Sequence, residues 1–326
     1  MEEPIGYLVF SFGEAIGVNP MALELAIIMI GALFLGLGFH RQNHQKSRYL
    51  AALGWIFMGL YFYLQSEYYV EISDPVLVLM TASALPGSIA LAIWEIKNEK
   101  TPEALQWLRG CFTWAVVPYF VIFSVPYLNM ALIQLTAEST ELMLEFCGLG
   151  NYHIGEMMVA RDGTPDVPVS EWDGNKWILT ESLAKEGFYV QFFDSDGRVI
   201  VQFIMACSGL QSMIIFVGAI GALSSVSWKR RARGLLIALP TIYVLNMFRN
   251  AGIVWLTEVY PNWSLMGIEM FDFTHSYAAK VISLFAMFLM AIALFDLLPE
   301  LHRHIMKILN PIFDVAERIT GTNKSS

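Results

Sequence analysis

The sequence predicts an all-α polytopic membrane protein with about seven transmembrane helices and a small external α+β insert that contains a β-hairpin. Three observations predict this class. The chain of 326 residues is 56% hydrophobic and only 15% charged, whereas a soluble domain carries about 25% charged residues. Several apolar stretches reach the roughly 20 residues that a helix needs to cross a hydrocarbon core. The basic residues cluster in alternate loops between these stretches.

Seven apolar stretches are long enough to be transmembrane helices. A shorter segment interrupted by glycine, Pro4–Val18, precedes them, and we interpret it as an interfacial lead-in. The predicted transmembrane segments are Met21–Phe39, Tyr49–Ser66, Pro75–Ile96, Cys111–Leu135, Gln202–Ser227, Leu235–Thr257 and Ser276–Leu298.

The distribution of Lys and Arg predicts how the chain crosses the membrane, because cytoplasmic loops are rich in both. Loops 67–74 and 258–275 contain neither residue, so we place them outside. The N-terminus is then external and the C-terminus cytoplasmic, in a multi-pass cell-membrane protein. Glu2 and Glu3 stand where a cleavable signal would have basic residues, so the first apolar helix is expected to direct its own insertion. The basic clusters lie in loops 40–48, 97–109 and 228–233 and in the tail after Glu300.

The long external insert, Thr136–Val201, ends in a predicted β-hairpin. Two β-rich runs, Phe188–Phe193 and Arg198–Phe203, flank the turn Asp194–Gly197, and an Asp-Gly turn between such runs is a strong hairpin signal. The second run leads directly into the stretch that contains Cys207. The chain thus divides into a lead-in with helices one to four (1–135), an external cap insert (136–201), catalytic helices five to seven (202–298) and a cytoplasmic tail (299–326).

Three reactive side chains are predicted to lie at one external level of the membrane. Counting back from the inner end of its segment places Cys207 at the outer edge of the hydrocarbon. Arg249 lies about 24 Å along the next helix from Arg233, at a similar depth. His275 immediately precedes the last segment, which begins outside. We therefore predict a site formed by Cys207, Arg249 and His275.

These residue types are typical of acyl transfer by a thiol nucleophile. A catalytic thiol needs a lowered pKa or a nearby base, and a helix N-terminus, Arg249 and His275 supply these. In this interpretation Arg249 stabilises the oxyanion and His275 moves the proton. An amine that resolves the thioester completes a transpeptidation, whereas water completes a proteolysis. The candidate supporting residues are Ser208, Gln211, Asn246, Asn250 and Lys280.

The residues also leave other interpretations open. Cys207 is compatible with a small apolar core residue or with a disulfide to Cys147, which lies on the same side. Arg249 is compatible with snorkelling towards lipid headgroups or with a salt bridge to Glu258 or Asp272. Gln211 either lines the site or bonds a neighbouring helix. Lys280 either snorkels outward or adds a second positive charge near the site. His275 is equally compatible with a histidine at the membrane interface or one hydrogen-bonded in the core. Three scattered cysteines are too few for a metal site, and we expect neither metal nor cofactor.

Several motifs resemble the exosortase/archaeosortase family. They are the run Ala206–Ser212, Arg249 between Asn246 and Asn250, and a late external histidine, together with a hairpin immediately before the cysteine. The resemblance implies that Cys207 is the nucleophile and that Arg249 and a third basic residue, His275 or Lys280, complete the site. It also implies substrates with a C-terminal signal made of a short motif, a transmembrane helix and a basic tail.

The implied product is an exported surface protein, such as a surface-layer protein, that is cut near this helix and joined to a membrane lipid. The implied setting is an archaeal cell membrane, with no nucleic-acid partner. Three alternatives stay open. The first is an intramembrane cysteine protease that ends in hydrolysis, and the second is a scaffold whose external insert binds partners. The third is a transporter or channel, to which the glycines in Gly31–Gly38 and Gly218–Gly221 are suited. Against transport, the polar residues gather at an external level, whereas transport sites usually lie at the midplane.

Overall fold

The fold is described from a computed structural model, which covers residues 4–41, 46–71, 75–98, 100–181, 183–184 and 186–320. The predicted tail beyond residue 320 therefore lies outside the described residues. The α-helices are α1 (Pro4–Ala15), α2 (Pro20–His40), α3 (Ser47–Leu64), α4 (Ser66–Glu71), α5 (Pro75–Lys97), α6 (Glu103–Ser124), α7 (Pro126–Phe146), α8 (Leu210–Gly221), α9 (Trp228–Val259), α10 (Met270–Asp272), α11 (Ala279–Leu297) and α12 (Pro299–Thr320). The strands are β1 (His153–Val159), β2 (Val167–Pro168), β3 (Phe188–Phe193), β4 (Val199–Ile204), β5 (Ser264–Leu265) and β6 (Ile268–Glu269).

The predominance of helices and the small antiparallel sheet confirm the predicted fold class. Within the described ranges, five helices are long and apolar enough to cross a membrane. They are α2, α5, α6, α9 and the continuous helical segment Met270–Leu297. The predicted number of seven is therefore approximate.

The predicted transmembrane segment Gln202–Ser227 is wrong as a single helix. Its first residues belong to β4 and to a 3₁₀ turn, Met205–Ser208, and only the 12-residue helix α8 follows. The physical reason is Gly209, which has φ 72° and lies in the left-handed region. A helix cannot continue through such a residue, so a run that is uniformly apolar in composition contains a strand, a turn and a short helix.

The predicted segment Cys111–Leu135 is also divided in the structure. Helix α6 ends at Ser124, Val125 has an extended backbone (φ −104°, ψ 100°), and Pro126 begins α7. Proline lacks an N–H and disfavours helical geometry in the residue before it, so one apolar run becomes two helices. Because α7 extends to Phe146, the region predicted as the external α+β insert begins within a helix.

The chain forms two compact units, of which the first comprises residues 1–117, 217–227 and 299–326. Its α2, α3 and α5 pack together around fully buried side chains such as Trp55. Arg109, which the sequence analysis assigned to a cytoplasmic loop, instead lies fully buried in α6 and forms an ion pair with the equally buried Glu95. Trp55 donates to the same carboxylate (3.2 Å) and Arg109 donates to the Gly38 carbonyl (2.8 Å). Such bonds compensate for the desolvation of both charges.

The second unit comprises residues 118–216 and 228–298. Its four-stranded antiparallel sheet has the order β2-β1-β3-β4, and its apolar face shares one buried core with α7 and α9. Phe192 and Phe203 of the sheet, Ile133 of α7 and Val254 of α9 belong to this core, and Cys207 packs against its edge. The strand that leads into the Cys207 turn is thus anchored on both neighbouring helices.

The predicted hairpin is confirmed. Strands β3 and β4 pair antiparallel, with Gln191 opposite Gln202. At the turn, Asp194 accepts bonds from the backbone N–H of Asp196 (2.9 Å) and of Arg198 (2.8 Å). These bonds, with the Arg198 side chain, lower the pKa of the Asp194 carboxyl. Gly197 of the Asp-Gly pair has φ 78°, so the turn combines a left-handed glycine with the side-chain bonds of Asp194.

Candidate active site

Cys207 lies at a sharp strand–turn–helix junction. It is the third residue of the 3₁₀ turn Met205–Ser208, between β4 and α8. The Ser208 hydroxyl donates to the Met205 carbonyl (2.7 Å) and accepts from the backbone N–H of Leu210 (3.1 Å). The turn is thereby closed on itself, and Ser208, which was predicted as a supporting residue, stabilises its backbone.

Two asparagine side chains hold the backbone carbonyl of Cys207. Asn246 donates from Nδ2 to this oxygen at 2.8 Å, and Asn250 donates from Nδ2 at 3.0 Å. The two residues are four positions apart on α9 and therefore share one face of the helix. Both are buried. We call this arrangement, Asn246 and Asn250 on the Cys207 carbonyl, the carbonyl clamp.

Gly209 allows the turn to approach α9 closely. A Cβ atom at this position would lie 2.8 Å from Cγ of Asn246, which is closer than unbonded carbon atoms approach one another. Its left-handed backbone also disfavours any other residue. The sequence analysis named Asn246 and Asn250 but missed Gly209, although the Cys-Ser-Gly order is a turn signal.

Arg249 is the charged group that reaches both other candidate residues. It is partly buried on α9, and Nη1 donates to Oδ1 of Asn250 at 3.3 Å. Its positive charge acts electrostatically on Cys207 and on His275. Within the described ranges no carboxylate forms an ion pair with Arg249. The alternative salt bridge to Glu258 or Asp272 is therefore wrong.

Glu258, one of those two carboxylates, bonds elsewhere. It accepts a hydrogen bond from the hydroxyl of Tyr152. The Tyr152 ring packs against Phe192 in the core beneath the sheet, at a centroid distance of 5.5 Å. The C-terminal end of α9 is thereby bonded to the sheet, and the Glu258 carboxylate does not form an ion pair with Arg249.

His275 lies in a π-helical turn, Phe273–Ala278, just before α11. Such turns are rare and often occur at functional sites. Its ring stacks on Phe271, with a centroid distance of 5.3 Å and an interplanar angle of 5°. The charges of Arg249, Lys280 and Asp272 act on it. Two positive charges and one carboxylate therefore influence His275.

Burial raises the pKa of the Cys207 thiol, while a hydrogen bond with the Ile204 backbone and the Arg249 charge lower it. The net direction is upward, so the thiol is protonated at neutral pH and needs a proton acceptor before it attacks. Cys207 is not in a disulfide, and neither are Cys111 and Cys147. The alternative disulfide between Cys147 and Cys207 is therefore wrong.

The remaining predicted residues have distinct positions. The Gln211 side chain forms a hydrogen bond with that of Tyr119 on α6. Of the two roles that the sequence left open, lining the site or bonding a neighbouring helix, Gln211 has the second. Lys280 lies on α11, partly buried. A residue that sequence reasoning missed is Asn129 of α7, whose Nδ2 lies 3.1 Å from the Met205 sulfur at the start of the Cys207 turn. No sequence signal links positions so distant along the chain.

Most of the chain matches one known family of membrane proteins. Residues 19–292 match the family described as transmembrane exosortase. The chain belongs to this exosortase family. It is also 25% identical over 241 residues to archaeosortase A of Haloferax volcanii, and the alignment covers 69% of this chain and 68% of that protein. No solved structure matches the chain.

Family membership confirms the resemblance that the Cys207, Arg249 and His275 motifs indicated. The match spans every predicted candidate residue, from the Cys207 turn to Lys280. Together with the five membrane-spanning candidates, it confirms that this exosortase is a multi-pass membrane protein.

Proposed function

We propose that this exosortase is a membrane-embedded cysteine transpeptidase. It cleaves the C-terminal sorting signal of exported surface proteins through a thioester at Cys207 and transfers them to a membrane lipid. The observation that carries the proposal is the carbonyl clamp, which fixes the Cys207 turn against the helix that bears Arg249. In this arrangement the thiol can act as the nucleophile, and a guanidinium that no carboxylate neutralises can donate to the oxyanion that forms.

The reaction begins when the Cys207 thiol loses its proton and its sulfur attacks the carbonyl carbon of the scissile peptide. A C–S bond forms, and the guanidinium of Arg249 donates to the oxyanion. The C–N bond then breaks, and the leaving amine takes up a proton. The product of this half-reaction is a thioester on Cys207 and a released C-terminal segment.

His275 is the proposed proton carrier, and Lys280 is assigned a supporting role. An imidazole exchanges protons near neutral pH, whereas an ammonium on Lys remains protonated. The stacking of His275 on Phe271 orients its ring. His275 accepts the thiol proton and returns it to the leaving amine, which makes it the general acid–base of both steps.

The proposed substrates carry a short motif, a transmembrane helix and a basic tail. The relative archaeosortase A and the motif resemblance both support this class. In the orientation that the basic loops predict, Cys207 faces the external surface, so the cut falls on the outer side of the substrate helix. We propose an archaeal cell membrane as the setting.

The decisive experiment is to trap the thioester. The purified protein in nanodiscs is mixed with a substrate that carries the three-part signal, quenched in acid and analysed by mass spectrometry. The expected result is the substrate fragment on the Cys207 peptide, labile to hydroxylamine. Substrate cleavage without any adduct on Cys207 would contradict the thioester route. A product whose mass includes a lipid supports transpeptidation. A product that ends in a free carboxylate supports the alternative, hydrolysis.

Replacing both clamp residues, Asn246→Ala with Asn250→Ala, is expected to lower kcat by about 100-fold. Each substitution removes one hydrogen bond to a buried carbonyl, which is worth about 1–3 kcal/mol when the partner is left unpaired, and positional error at the nucleophile reduces rate. Processing rates are measured in membranes with equal protein levels. The matched control is Asn98→Ala, because Asn98 also donates to a backbone carbonyl, that of Trp94, at 2.7 Å. Equal rates for the clamp and control variants would refute the positioning role.

A further inference from the structure

A narrow groove runs between α9 and the helical segment that ends in α11. Its volume is about 290 Å³, and its walls include Ile242, Arg249 and Leu256 on one side and Ile282 and Ala286 on the other. Gly209, next to the cysteine turn, also borders it. We call this the α9–α11 groove. The question it raises is which molecule fits it.

The groove is long and mostly apolar. From Ile242 to Leu256 it follows α9 for about 20 Å, at 1.5 Å per residue. Most of its lining side chains are apolar, and Arg249 supplies a positive charge. This combination suits a long apolar ligand with one anionic end.

The walls of the groove also disfavour an extended peptide. They are formed by helices, whose backbone groups already bond internally, and Thr274 donates to the Met270 carbonyl at 2.8 Å. A peptide would leave its own N–H and C=O groups without partners, which costs several kcal/mol per group in hydrocarbon. A hydrocarbon chain has no such groups.

Arg249 defines where a charged end would lie. It borders the groove midway between Ile242 and Leu256, and no carboxylate neutralises it within the described ranges. In the orientation predicted from the basic loops, Arg249 is at the outer edge of the hydrocarbon. The part of the groove from Arg249 to Ile242 then lies within the hydrocarbon, at the depth of acyl chains.

We propose that the α9–α11 groove binds one hydrocarbon chain of an anionic membrane lipid, with the lipid phosphate on Arg249. A guanidinium is the side chain best suited to phosphate, which it binds through two parallel hydrogen bonds. The guanidinium of Arg249 has five N–H donors, so it binds the phosphate through two of them and still has donors for the oxyanion. The inference goes beyond the proposed transpeptidation, because binding requires no reaction at Cys207. It places a lipid headgroup directly beside the cysteine turn.

The test uses the full-length protein in nanodiscs that contain phosphatidylglycerol with a diazirine in one acyl chain. After illumination, labelled residues are mapped by mass spectrometry. The expected labels are on Ala286 and Met287, which line the groove and are half-buried, in excess over Leu284 and Phe288, which do not line it and are each 61% exposed. Equal labelling of both sets would overturn the proposal, since it would indicate general contact with bulk lipid.

Gly252→Leu is expected to reduce labelling of the groove residues about tenfold, as the loss of roughly 1.4 kcal/mol of binding implies. Gly252 borders the groove, and a Cβ there meets nothing within 4 Å, so the leucine fills open space. Gly87→Leu is the matched control, because Gly87 lies in α5 and is equally open. Thermal unfolding of both variants verifies the fold. Unchanged labelling in Gly252→Leu would overturn the proposal.

Two further experiments test the role of the lipid headgroup and distinguish lipid binding from the reaction at Cys207. Phosphatidylcholine with the same diazirine chain is expected to label the groove about tenfold less, because its headgroup has no net negative charge. Equal labelling by the two lipids would overturn the role of Arg249 in binding. Cys207→Ala is expected to retain groove labelling while it loses processing, so failure of the lipid site and failure of the proposed chemistry give different results.

Discussion

Cys207→Ala is expected to reduce substrate processing by at least about 10⁴-fold, because the route through a covalent thioester requires the sulfur. The variant is expected to fold normally. Asn246 and Asn250 bond the backbone carbonyl at position 207 and not the thiol, so an alanine keeps both bonds. Loss of activity is then attributable to chemistry. The measurement is the rate of product formation in membranes, with thermal unfolding as the folding check.

Two other cysteines supply the controls for this substitution. Cys147 is exposed and Cys111 is partly buried, and both are free. Cys111→Ala and Cys147→Ala are each expected to process substrate within about twofold of the unmodified protein, because surface and small-volume changes have minor effects. Processing by Cys207→Ala at the rate of these controls would rule out Cys207 as the nucleophile, and with it the proposed function.

The parts of the fold that the sequence predicts well are those set by local chemistry. The hairpin from Phe188 to Ile204 is confirmed, and the signal that predicts it, an Asp-Gly turn between two β-rich runs, lies within one short stretch of sequence. Both ends of helix α2 lie within one residue of the predicted Met21–Phe39. An apolar run of that length crosses a membrane as a helix, because its backbone N–H and C=O groups must bond within the segment. The divided segments fail for the opposite reason. Gly209 and Pro126 change the backbone without changing the apolar composition around them.

The candidate site shows the same distinction. Depth along a helix is a one-dimensional quantity, so counting residues is enough to predict that Arg249 lies near the level of Cys207. The direction in which a side chain points depends on packing, which counting does not supply. Asn246 was predicted only as a supporting residue of the site, and packing alone determines that it donates to the Cys207 carbonyl. Asn129 contacts the turn from α7 through tertiary packing alone.

Arg249→Gln is expected to lower kcat/KM by about 10²–10³-fold, the typical loss when one oxyanion donor is removed. A second effect acts on the nucleophile itself. The Arg249 charge lowers the pKa of the Cys207 thiol, so its removal raises that pKa and leaves less thiolate at any given pH. The alkylation rate of Cys207 by iodoacetamide, measured against pH with Cys111 and Cys147 replaced by alanine, is therefore expected to move to higher pH.

Arg249→Lys separates the two effects. Lysine keeps the positive charge but lacks the planar fork of donors, so the alkylation profile is expected to stay near that of the unmodified protein while processing still falls. Arg230→Gln is the control on the same helix, because Arg230 donates to the Leu297 carbonyl at 3.0 Å, away from the cysteine turn. If Arg249→Gln alkylates with the same profile as Arg230→Gln, the guanidinium does not tune the thiol. Equal processing rates for Arg249→Gln and Arg230→Gln would show that Arg249 is not a catalytic residue. An arginine with only a structural role is not expected to change both the pKa of the Cys207 thiol and the processing rate.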